Sequence, residues 1–131
     1  MKGDKPDHSW EVLCHVSALL VVVPAVRFGS VLGPLVVWLM KRGALPGVDA
    51  HGRAALNFQF SMAIYWWAVW ALGQLTSRLP GPMALLDWGP WALMWGLHLL
   101  NLVCIIAAGL KAGRGEIFKY PIAIRFLGKT L

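Results

Sequence analysis

Few side chains in this chain could carry chemistry. The histidines at 15, 51 and 98 suit metal ligation or proton transfer, and the carboxylates are Asp4, Asp7, Glu11, Asp49, Asp87 and Glu116. His15 and His98 could serve as axial ligands to a haem held between helices. Counted at 1.5 Å per residue from the same side of their apolar runs, however, His15 lies about 8 Å deep and His98 about 20 Å. Two ligands to one iron must sit nearly level, so a bis-histidine haem is disfavoured. His15 is about level with Gln59, and a hydrogen bond between these two is the expected use of the ring. His51, between Asp49 and Arg53, could bind an anion or assist proton transfer, but a solvated polar turn is the simpler reading. All six acids stand at or beyond the ends of apolar segments, not at mid-depth where proton relays and ion-coupled carriers place a carboxylate. The sequence has no HExxH, no paired-cysteine metal spacing, no phosphate-binding glycine loop and no nucleophile elbow. Cys14 and Cys104 lie in apolar runs and read as buried free thiols. The expectation is a protein that is not an enzyme, with no metal and no cofactor.

The remaining polar groups inside apolar segments fall on two stripes. Arg53, Asn57, Ser61, Tyr65 and Ala68 follow helical spacing on one segment, and His98, Asn101, Ile105, Ala108 and Ala112 on another, with Cys104 and Gly109 alongside. In lipid an Asn facing the hydrocarbon leaves its amide unsatisfied, so such stripes mark helix contacts. The alternative is a small channel or carrier, with Asn57, Ser61, Tyr65, His98 and Asn101 lining a path.

The elements that must position these groups are set by hydropathy. Of 131 residues 58% are hydrophobic, above the roughly 45–50% of soluble proteins, and mean hydropathy is +0.62. Four apolar segments follow a polar tail at 1–9: residues 10–26, 30–40, 54–77 and 88–110. The first two are short against a hydrocarbon core of about 30 Å, and form either a bilayer-thinning hairpin or a partly re-entrant one. A basic turn at 41–53 joins the second and third segments. It carries Lys41, Arg42, Asp49, His51 and Arg53, the turn signal Pro46-Gly47, and in Asp49 a helix N-cap. Arg78 to Pro82 is a breaker. The tail 112–131 mixes Lys111 at its root with Arg114, Glu116, Lys119, Tyr120, Pro121 and several apolar residues, too charged to span and too apolar to float free. A basic amphipathic segment lying in the membrane interface is expected. The fold class is therefore an all-α polytopic membrane bundle of four segments, with 10–111 as its transmembrane domain.

Ten of the 12 basic residues fall on one side if both termini and the 41–53 turn share it; Arg27 and Arg78 fall opposite. The positive-inside rule then places both ends in the cytoplasm of a bacterial inner membrane. Trp10 and Trp38 mark the inner ends and Trp88 and Trp91 the outer, as interfacial belts require, whereas Trp66, Trp67 and Trp70 are deeper. The net charge of +6 points to anionic lipid headgroups rather than nucleic acid. The run after Lys2 and Lys5 leads straight into another apolar run, so a cleaved signal peptide is not expected.

Trp10 with His15, Gly33-Pro34-Leu35 with Trp38-Leu39 and Lys41-Arg42, Asp49-Ala50-His51-Gly52-Arg53, Ala55-Leu56-Asn57-Phe58-Gln59, and Lys111-Ala112 with Gly115-Glu116 and Tyr120-Pro121-Ile122 together resemble a bacterial membrane-protein family similar to the chloroplast inner-envelope import component, Tic-twenty. Ala54 departs from that pattern where a charge is common. The resemblance implies four helices and a role in handling membrane polypeptides, and no enzymatic activity. With the stripes and the tail, it leads to an accessory or helper subunit of a membrane complex or of polypeptide insertion. Its partners would be other membrane subunits or further copies of itself.

Overall fold

The computed structural model describes residues 7–22, 29–80 and 88–128. Of the expected break at 27–29, Gly29 is the first residue of α2, while residues 27–28, the loop 81–87 and the charges at Lys2, Asp4, Lys5, Arg27, Asp87 and Lys129 lie outside them. Among the described residues the chain is all-helical: α1 is Ser9–Val16, continued by a 3-10 turn at Ser17–Val22; α2 is Gly29–Lys41; α3 is Pro46–Thr76; α4 is Trp88–Ala112.

Local chemistry sets the boundaries. At the start of α1 the backbone N–H and hydroxyl of Ser9 both donate to Asp7 Oδ1, which holds that carboxyl below the usual range. Pro46 occupies the first turn of α3, where a missing N–H costs nothing. The helix therefore begins at 46 rather than 54, and the expected polar turn shrinks to the link 42–45. Asp49 is correspondingly not the N-cap; Leu45 takes that position with no side-chain bond. α4 ends in a Schellman arrangement: Glu116 N donates to Lys111 O at 3.0 Å, Gly115 N to Ala112 O at 2.9 Å, and Gly115 takes φ +74°.

α1 touches all three other helices, and α3 packs on both α2 and α4. Close approach needs glycine at particular points. A Cβ on Gly33 would run into the Ser17 carbonyl, and one on Gly52 into the Trp38 indole. Cys14, Val37 and Val48 form one buried cluster, with Trp10 against it. Phe58, Met62 and Cys104 form a second, covered by Phe118, Tyr120 and Ala123 of the segment after α4.

The start of α1, the end of α2, the start of α3 and the end of α4 meet at one end of the bundle. There Lys41 Nζ lies 4.5 Å from the centre of the Trp10 ring and Arg42 Cζ 4.5 Å from that of Trp38. From that end the helices have unequal reach: roughly 24 Å for α1 with its 3-10 extension, about 20 Å for α2, about 46 Å for α3 and about 37 Å for α4.

By length and composition, one described helix is long and apolar enough to cross a membrane: Trp88–Ala112, of whose apolar window only 28% is buried, unlike the core helix of a soluble protein. α3 has the length, but Asn57, Gln59 and its tryptophans dilute it; α1 and α2 are apolar but short.

Candidate functional site

The segment after α4 is not helical. It leaves Gly115, rises to Tyr120, turns at Pro121-Ile122 and returns along α3. An extended strap of this kind exposes backbone N–H and C=O groups with no partners of their own, which in an apolar setting must be satisfied by something else. The α3 stripe satisfies them. Tyr65 Oη donates to Ile122 O at 2.7 Å, Ile124 N to Ser61 Oγ at 2.7 Å, and Phe126 N and Leu127 N to Asn57 Oδ1 at 3.0 and 2.8 Å. Arg53 Nη1 donates to Leu127 O at 3.1 Å, and Ser61 Oγ donates to Asn57 O at 2.7 Å. The register is arithmetic: four helix residues advance about 6 Å and two extended residues about 6.6 Å, so 65, 61 and 57 meet 122, 124 and 126 in step. The turn carries strain, since Ile122 has φ +53°, unusual for a β-branched residue.

Beneath the strap, Tyr120 stacks on Phe58 with ring centres 4.3 Å apart and meets His15 Nδ1 at 2.8 Å. His15 Nε2 lies 2.9 Å from His51 Nδ1, and both rings are buried. Burial raises the Tyr120 hydroxyl far above its ordinary range, so it keeps its proton at neutral pH. With Tyr120 donating to His15 Nδ1, His15 Nε2 carries the proton between the rings and His51 carries its own on Nε2. Gln59 and Asn101 form a buried amide pair between α3 and α4, Gln59 Nε2 donating to Asn101 Oδ1 at 2.9 Å. Asp49 accepts from Arg53 Nε at 3.0 Å and Trp38 Nε1 at 2.9 Å.

The residues singled out in the sequence therefore divide. Arg53, Asn57, Ser61 and Tyr65 share a face as expected, but it grips the strap rather than another helix. His15 bonds to His51 and Tyr120, not to Gln59, because α3 starts eight residues earlier than its apolar pattern and every level along it shifts. His98 is exposed beside Trp66, whose Nε1 donates to it at 3.4 Å, away from His15. Asn57, Ser61, Tyr65, His98 and Asn101 consequently do not meet along one path. Lys111 pairs loosely with Glu116 at 3.9 Å, while Arg114 and Pro121 are exposed. The contributions of Trp38 and of Tyr120 as the partner of His15 were missed. A buried-type aromatic in a basic tail, with polar residues every fourth position on α3, was the available signal.

Fold and site define a small helical protein with an apolar, outward-facing α4 and a polar seam closed by its own chain. The chain belongs to the MamF/MmsF magnetosome magnetite crystal formation protein family, whose family model matches residues 6–127. That match corrects the expected kinship with Tic-twenty, which it does not support. No curated protein and no solved structure matches the chain.

Proposed function

We propose that this protein is a multi-pass component of the bacterial magnetosome membrane that takes part in magnetite crystal formation as a non-enzymatic accessory subunit, acting through contacts with neighbouring membrane proteins or further copies of itself. The observation that carries this reading is where the polar side chains go. The seam residues of α3, with Gln59 and Asn101, are engaged within the protein, while Leu99, Leu102, Val103, Ile106 and Leu110 of α4 are turned outward. α3 and α4 span fully, and α1 with α2 form a short hairpin against them. Lys41, Arg42, Lys111 and Arg114 cluster where helix ends meet, which supports a cytosolic basic end against anionic headgroups and both termini on that side. Membership of the family supports the role in magnetite formation.

Two experiments test this. Deletion in a magnetite-forming bacterium is expected to change the number or size of its crystals, and crystals indistinguishable from wild type would remove the functional reading. Reporter fusions to either terminus are expected to read cytosolic, and a periplasmic signal from either would remove the topology.

A further inference from the structure

The lengths of the helices and the position of the strap make this molecule wide at one end. In the basic half, α1, α2, α3 and α4 all run side by side, and the strap adds two more passes of chain, up to Ile122 and back to Gly128. Beyond about 28 Å from that end, the level at which Tyr65 of α3 meets Ile122, the described residues leave chiefly α3 and α4. The strap also presents Ile122, Ile124 and Phe126, which are 51%, 42% and 48% exposed, next to the exposed cations Lys119 and Arg125. Alternation along the extended chain after the turn puts Ile124 and Phe126 on one face while Ala123 packs inward on the Phe58 cluster. By their bonds to α3 these side chains stand about 17–28 Å along the helix from its basic start, within the broad part of the molecule.

The geometry points to an asymmetric wedge: resting on the multi-pass reading above, this protein expands the leaflet that holds its basic end and therefore partitions into bilayers convex on that side. The surface it fits is an anionic, strongly curved lipid bilayer. With the basic end in the cytosol, that is the membrane of a small intracellular vesicle, whose cytosolic leaflet is the outer one.

The test uses the full chain, fluorescently labelled and reconstituted into phosphatidylcholine–phosphatidylglycerol vesicles, either small and sonicated or large and extruded. Protease added outside cleaves the basic end of outward-facing molecules and sorts the two orientations. Outward-facing molecules are expected to be severalfold denser per unit area on the small vesicles, and inward-facing molecules to be depleted from them. Combined Ile122→Ser, Ile124→Ser and Phe126→Ser, which leaves the strap's backbone bonds to α3 in place, is expected to reduce that preference. Equal density of both orientations on both vesicle sizes in stably inserted protein overturns the wedge alone. Protein that alkaline carbonate extracts from the vesicles overturns the multi-pass reading, and the wedge with it.

Discussion

Asn57 holds the strap more firmly than any other side chain, because one carboxamide oxygen accepts from two successive backbone N–H groups. Asn57→Leu strands both, at a cost of roughly 1–3 kcal/mol for each buried donor. The variant is expected to lose protection of the tail from protease in detergent, whereas Asn57→Asp, which keeps the acceptor, retains most of it. Tyr120→Phe takes the donor from His15 while preserving the stack on Phe58, and a loss of about 1 kcal/mol in thermal unfolding is expected. At this scale the stripe was legible, since its spacing is intrinsic to a helix. Its partner was not, because the accepting and donating groups on the strap are backbone and leave no mark in side-chain identity.

The helices themselves were largely written in the apolar runs and the breakers between them. The exception is the start of α3, where Asp49, His51 and Arg53 look like loop residues by polarity yet occupy the first turns after Pro46. Asp49 and Arg53 sit four residues apart and pair along the helix, so their charges stabilise the element they seemed to interrupt. The strap had no periodic signature at all, being extended chain held by another element's side chains. Ile122 tests how firmly it is held: Ile122→Gly removes roughly 1–2 kcal/mol of left-handed strain, partly offset by unfolded-state entropy, so tail protection is expected to be unchanged or slightly improved. Gly52→Leu should do the reverse, forcing α3 from the Trp38 indole and lowering the unfolding midpoint by an amount matching about 1–3 kcal/mol.

Across the whole molecule, reach is unevenly shared. α2, at about 20 Å, falls well short of a hydrocarbon core of about 30 Å, whereas α3 exceeds it. A bilayer of short acyl chains should relieve that mismatch, so the protein is expected to unfold at higher temperature in short-chain than in long-chain phosphatidylcholine; the opposite order would place α1 and α2 outside the hydrocarbon. Composition marked the basic residues at the helix ends but not the unequal reach of the helices, which depends on where α3 starts.

The strap also has a consequence for biosynthesis. Its bonds to α3 join residues separated by 57 to 74 positions in sequence, from Tyr65 with Ile122 to Arg53 with Leu127. During translation α3 is therefore made with Asn57, Ser61 and Tyr65 still waiting for their acceptors and donors. Until residues 122–127 emerge, the nascent protein is an incomplete client that a membrane chaperone could hold or a quality-control protease could remove.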